Sequence, residues 1–109
     1  MKSDAILQNL GDFENKSLLI VDDDNPFRER LAISMEKKGF EVIQAEGVKK
    51  GIDSVKSYKP GFAVVDLRLN DGNGLEVVKQ IQSSNSESRI IMLTGYGNIP
   101  TAVAAVKAG

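Results

Sequence analysis

Apolar and polar positions along this chain fall into short continuous runs separated by stretches of helical period. Leu18-Leu19-Ile20-Val21, Phe62-Ala63-Val64-Val65 and Ile90-Ile91-Met92-Leu93 have strand length and no strict alternation. That is the pattern of strands covered on both faces in a parallel sheet, though a buried helix segment can imitate it. The intervening segments decide. Asn25-Pro26 supplies a cap residue and a proline at the first helical position, Phe27, Leu31 and Met35 follow at helical spacing, and Gly39 marks a stop. A strand is predicted over Glu41–Ala45, then a helix with Val48, Ile52 and Val55 on one face, then Pro60-Gly61 ahead of the strand Phe62–Asp66. Beyond the turn-rich Asp71-Gly72-Asn73-Gly74, a helix carrying Leu75, Val78 and Ile81 leads through the polar loop 83–88 to a strand ending at Thr94. A last helix is expected over about 100–107, with Gly109 as its cap. Strand and helix alternate four times, which calls for right-handed crossovers and an α/β fold: a doubly wound parallel sheet with helices on both faces.

What ends each strand points to chemistry. The first run closes on Asp22-Asp23-Asp24, the second on Asp66, and the third on Thr94 followed by Gly95-Tyr96-Gly97. In a parallel sheet those ends share one edge. Two unit charges about 4 Å apart repel by roughly 4 kcal/mol at an effective dielectric near 20, so Asp22, Asp23 and Asp66 require a proton or a cation among them. Carboxylate and carbonyl oxygens select Mg²⁺ or Mn²⁺ over softer metals, and Ca²⁺ usually wants more ligands. A carboxylate beside such an ion can attack a phosphoryl group while a hydroxyl such as that of Thr94 donates to a transferring oxygen. The product would be an acyl phosphate on aspartate.

Composition narrows the field. The 109 residues suffice for one compact domain, with residues 1–16 read as an N-terminal tail or short docking helix bearing Ile6, Leu7, Leu10 and Phe13, and one domain over 17–109. Lys and Arg number 14 against 15 Asp and Glu, so no overall field draws the chain to nucleic acid or an acidic membrane. The absence of cysteine excludes disulfides, thiolate sites and cysteine nucleophiles and agrees with a cytoplasmic location. The absence of histidine removes Ser-His triads, imidazole ligands and any phosphohistidine acceptor within these residues. Neither a membrane span nor a secretion signal is suggested.

Leu18 to Asp24, Val64-Val65-Asp66-Leu67-Arg68-Leu69 with Gly74-Leu75, and Met92-Leu93-Thr94-Gly95 together resemble, in order and spacing, the receiver domain of bacterial two-component response regulators. The resemblance runs from about residue 17 to 109. Asp71-Gly72-Asn73-Gly74-Leu75, Thr94-Gly95-Tyr96-Gly97 and the stretch 101–107 look most like the redox-responding, DNA-binding regulators of photosynthetic and related bacteria. It implies a flavodoxin-like receiver fold with strand order 2-1-3-4-5, known for a chemotaxis member of the family. It also implies Asp66 as phosphoacceptor, Asp23 as a direct Mg²⁺ ligand, Asp22 as a ligand acting largely through water, and the Arg68 backbone carbonyl as a further ligand. Thr94 becomes the switch hydroxyl, residues 95–105 the moving face, and a sensor histidine kinase the phosphoryl donor. Such a chain is not an enzyme beyond its own phosphorylation and dephosphorylation, and binds no nucleic acid itself. Where the family commonly has proline four residues after the acceptor, Asn70 stands here. The family's pattern continues into a fifth strand, bearing a lysine and an aromatic switch residue, and a fifth helix; the 109 residues stop before them. The expectation is therefore a fragment, truncated before the fifth strand and helix, or a chain completed by a second copy through exchange or edge pairing, with apolar surface left open beside the first helix.

Blander roles compete for the same residues. Asp24 and Asn25 before Pro26 read as a helix cap rather than ligands, and Asp71 to Gly74 as turn chemistry. Lys49-Lys50 and Arg28-Glu29-Arg30 read as solvated helix faces, and Tyr96 as a partner-binding aromatic or an idle loop residue. The rival chemistry is a haloacid-dehalogenase-like phosphatase, since Asp22-Asp23-Asp24 satisfies an Asp-x-Asp pattern with Asp22 as nucleophile and Asp24 as acid. That alternative leaves Asp66 unexplained and offers no room for a cap domain. A third possibility is a receiver-shaped interaction module that is never phosphorylated.

Overall fold

The computed structural model describes residues 15–93. Within them run β1 (Ser17–Val21), α1 (Asn25–Lys37), β2 (Glu41–Ala45), α2 (Val48–Tyr58), β3 (Phe62–Asp66), the two-residue β4 (Arg68–Leu69) and β5 (Gly72–Asn73), α3 (Leu75–Ser84) and β6 (Arg89–Leu93). The expected helix over 100–107, the residues 95–105 and all but Asn15 and Lys16 of the expected tail lie outside the described residues.

The main sheet has the order β2-β1-β3-β6, every neighbouring pair parallel. Counting only its major strands, this is 2-1-3-4, the order the resemblance implies. Because side chains alternate across a strand, β1 feeds two cores. Leu19 and Val21, with Ala63, Val65 and Ile90, pack against Val48 and Val55 of α2 and Val77, Val78 and Ile81 of α3. Leu18 and Ile20 face Ala32 of α1 on the opposite side. The sheet is therefore doubly wound. Each fully buried aliphatic side chain contributes about 1.5–3 kcal/mol by leaving water, so Leu19, Ile20, Ile81 and Ile90 do much to fix the register that aligns the strand ends.

Local details depart from the sequence expectation in instructive ways. The cap of α1 is Asp24, whose side chain accepts from the Phe27 N–H at 3.1 Å, so Asn25 is already helical. Gly39, at φ 101°, ends that helix as expected. After α2 the left-handed position falls on Lys59, at φ 46°, ahead of Pro60-Gly61. In α3 the buried face is Val77, Val78 and Ile81, while Leu75 is exposed. The turn-rich segment forms the β4–β5 hairpin, with Gly72 at φ 150° where a side chain would be strained. On the α1 side an apolar groove of about 760 Å³ lies open among the described residues, lined by Leu18, Phe27, Leu31, Met35, Phe62 and Ile91 among others, which is the apolar surface expected beside the first helix. No helix of the described residues is long and apolar enough to cross a membrane.

Candidate functional site

Parallel pairing aligns the carboxyl ends of β1 and β3. Val21 pairs with Val65, so Asp22 and Asp66 both leave the sheet at the same edge, and Asp23 follows in the loop to α1. One carboxylate oxygen from each of Asp22, Asp23 and Asp66 lies within 4.8 Å of the others. The adjacent pair Asp22-Asp23 and Asp66, more than 40 positions further along the sequence, thus form one acidic basin, as expected. Leu93, the last residue of β6, is the register partner of Asp66, and its carbonyl accepts from the Leu67 N–H at 2.8 Å. Thr94, the expected switch hydroxyl, lies outside the described residues.

The basin is held by short polar contacts. Asp22 Oδ1 accepts from the Asp24 N–H at 2.8 Å, and Asp66 Oδ1 accepts from the Arg68 N–H at 3.0 Å. Arg68 itself is exposed at the start of β4. Burial pushes the Asp22 carboxyl above its ordinary value, and the charges of Asp66, Asp23 and Asp24 add to the rise against the opposing bond from Asp24. Burial also raises Asp66, helped by Asp23 and opposed by the Arg68 amide and charge. Crowded carboxylates whose charged forms are disfavoured are the donor set that a hard divalent cation relieves.

Two glycines keep backbone close to this edge. A Cβ on Gly74 would fall on the Asp66 carbonyl oxygen, although φ at Gly74 is an ordinary −60°. Close approach, not conformational freedom, demands glycine there. A Cβ on Gly47 would lie 2.6 Å from Asp71 Oδ1. That carboxylate accepts from the Val48 N–H at 2.8 Å and the Lys49 N–H at 3.2 Å, capping α2, whose own cap position carries no side chain to do so. These two bonds hold the Asp71 carboxyl below its ordinary value. Asp71 is more than turn chemistry: it ties the loop after β3 to the loop after β2.

Arg28 corrects a second expectation. It is not on a solvated face but only 8% exposed. Its Nη1 donates to the Asp22 carbonyl at 2.6 Å and its Nε to Gln44 Oε1 at 3.0 Å. By contrast Lys49 and Lys50 are exposed as expected, Lys50 pairing with Glu46 at 2.6 Å.

The model of the response regulator receiver domain matches residues 18–109. The chain belongs to that family. The photosynthetic apparatus regulatory protein RegA of Rhodobacter capsulatus is 57% identical over 95 residues, covering 87% of this chain and 52% of the relative. This receiver domain is thus similar to the photosynthetic-regulator subgroup expected from its motifs, and it spans about half the length of the curated relatives it matches. Among solved structures, a response regulator protein from Burkholderia pseudomallei with a phosphorylated aspartic acid, calcium ion and citrate has a TM-score of 0.75 at 36% identity, covering 87% of this chain and 56% of that one. The response regulator protein TrrA of Thermotoga maritima, in complex with Mg²⁺-BeF, has a TM-score of 0.70 at 27% identity, covering 83% and 78%.

Proposed function

We propose that this receiver domain accepts a phosphoryl group on Asp66 from a sensor histidine kinase and thereby switches a partner surface. The observation that carries the proposal is the convergence of Asp22, Asp23 and Asp66 at one sheet edge. These 109 residues contain no histidine, so the phosphohistidine donor lies outside them. One oxygen of Asp66 is held by the Arg68 N–H, which fixes the carboxylate and leaves the second oxygen as nucleophile. That oxygen attacks phosphorus, the P–N bond of the donor breaks, and its electron pair leaves with the imidazole; the product is an acyl phosphate on Asp66. Asp22, Asp23, Asp66 and the Arg68 carbonyl are the oxygens assigned to Mg²⁺, with Mn²⁺ as a substitute. When bound, the ion neutralises charge on the transferring oxygens. The cation-bearing relatives and the raised carboxyls of Asp22 and Asp66 support that assignment.

Thr94 is the hydroxyl assigned to the new phosphoryl oxygens, and residues 95–105 the segment that responds. The receiver domain is taken as residues 17–109, acting in the cytoplasm. An output domain outside these residues would turn the switch into control of transcription, in keeping with the regulatory names of the relatives and their greater length. The edge of β6 and the groove beside α1, both open among the described residues, make a second copy a further proposed partner.

Incubation with acetyl phosphate and Mg²⁺ followed by intact mass tests the proposal. One alkali-labile phosphoryl adduct is expected on the unaltered chain and none on Asp66→Ala. An adduct or turnover that persists in Asp66→Ala and disappears in Asp22→Asn would favour the phosphatase alternative, and no adduct at all would favour the inert module.

A further inference from the structure

We propose that Arg28 is a positioning residue for the acidic basin, setting its affinity for a divalent cation and the rate at which Asp66 is phosphorylated. This rests on the phosphoacceptor function proposed above. The parallel register of β1 with β2 ends at Val21 and Ala45, and the last ladder bond is from the Asp22 N–H to the Ala45 carbonyl at 3.1 Å. The Asp22 carbonyl lies just past that ladder, and Arg28 Nη1 binds it at 2.6 Å. The carbonyl belongs to the peptide unit joining Asp22 to Asp23. Because that unit is planar, a donor that fixes its C=O direction fixes how the Cα atoms of both acidic residues are presented.

The guanidinium is well suited to this task. Its donors are held in one rigid plane, so a second bond, from Nε to Gln44 Oε1 at 3.0 Å, orients the first. Gln44 belongs to β2, and the Asp22–Asp23 peptide is thereby anchored to the neighbouring strand as well as to α1. The same short loop is gripped from its other end: the Arg28 N–H donates to the Asp24 carbonyl at 2.9 Å, and Asp24 N–H donates to Asp22 Oδ1 at 2.8 Å. A side chain burying its charge at 8% exposure, one turn into a helix, with one backbone carbonyl and one neutral amide oxygen as its acceptors, is a costly way to satisfy a backbone group. Its placement is explained when the carbonyl it holds sits between two ligand residues.

The test uses the whole chain and three variants: Arg28→Met, Arg28→Lys and Gln44→Ala. Mg²⁺ affinity is measured by titration calorimetry, the acetyl phosphate reaction at saturating Mg²⁺ by intact mass, and the unfolding midpoint in parallel. Loss of groups that orient metal ligands typically weakens metal affinity about 10–100-fold. Arg28→Met is expected in that range, with Arg28→Lys recovering part of the loss and Gln44→Ala, at an exposed position, weakening Mg²⁺ about 2–5-fold with a near-parental midpoint. A lowered midpoint with unchanged Mg²⁺ affinity in the arginine variants overturns the proposal and reduces Arg28 to a structural residue. Should Arg28→Met fail to fold, unchanged affinity in Arg28→Lys and Gln44→Ala overturns it equally. Failure of the unaltered chain to bind Mg²⁺ sinks the metal assignment itself, whereas unaltered variants beside a binding parent sink only the role of Arg28.

Discussion

Replacing Asp66 by asparagine should stabilise the metal-free protein while destroying its chemistry. The amide is nearly isosteric and its oxygen can still accept from the Arg68 N–H, so little changes but the charge. With ligand oxygens within 4.8 Å of one another, each pair of unit charges repels by at least about 3.5 kcal/mol at an effective dielectric near 20. Asp23 and Asp66 are only half-buried, and solvent screening cuts the relief to about 1 kcal/mol. Burial and Asp23 raise the Asp66 carboxyl in spite of the Arg68 amide and charge, so the charged form is on balance disfavoured in the folded state. About 1 kcal/mol raises the unfolding midpoint of a domain this size by about 4–8 °C.

The pH dependence follows from the same sign. A carboxyl whose folded value lies above its unfolded value binds more protons folded than unfolded between the two, so stability falls as pH rises through that window. The cost is complete above the folded value and absent below the unfolded one. Asp66→Asn should therefore exceed its parent at pH 7 in chelator and low salt, and the advantage should vanish as acid protonates Asp66 in the parent. Mg²⁺ reverses the ranking: at one hundred times its dissociation constant it stabilises the parent by about 2.7 kcal/mol, and the variant, one carboxylate short, by less. Thermal unfolding across pH with and without Mg²⁺ measures all three. A variant less stable than its parent at pH 7 without metal, or an advantage undiminished in acid, refutes the crowding argument.

Gly47→Ala and Asp71→Ala should each lower the unfolding midpoint, and the double variant should fall little further than either, because both remove the same cap from α2; additive losses would refute the coupling. Gly74→Ala forces the backbone of Asp66 to move and should cost about 1–3 kcal/mol and weaken Mg²⁺ binding, whereas native stability and affinity would show the approach is looser than described. Sedimentation should find this chain as a dimer at tens of micromolar, an order-of-magnitude choice for a modest interface, and Ile91→Lys, charging an exposed residue of β6, should return it to monomer; a parent that is already monomeric defeats the pairing proposal.

The sheet was legible because a strand buried on both faces has few ways to be written. Leu18 to Val21 and Phe62 to Val65 carry no polar position to place on a wet face, and the residue that follows each must leave the sheet at its carboxyl edge. Strand ends thus led directly to Asp22, Asp23 and Asp66. The β4–β5 hairpin was not legible, since two-residue strands leave no periodicity to detect. Neither was the left-handed Lys59, because Gly61 nearby offered the usual glycine for the turn.

Arg28 and Asp71 were misread for one shared reason: each satisfies a backbone group of a distant or differently folded segment, and local spacing does not register such partners. Both nevertheless left a trace. Arg28, Leu31, Ala32 and Met35 stand at i, i+3, i+4 and i+7, so the arginine occupies the inward stripe of α1 at the end nearest the strand edge. A cation on an inward stripe must find an acceptor, and the carbonyl just beyond the β1–β2 ladder provides one. Gly47 precedes Val48 where a serine, threonine, asparagine or aspartate would cap α2, so the first amides of that helix must find an acceptor elsewhere, and Asp71 provides it. Hydrophobic pattern locates the core, while a misplaced charge and a missing cap locate the polar ties that aim the site.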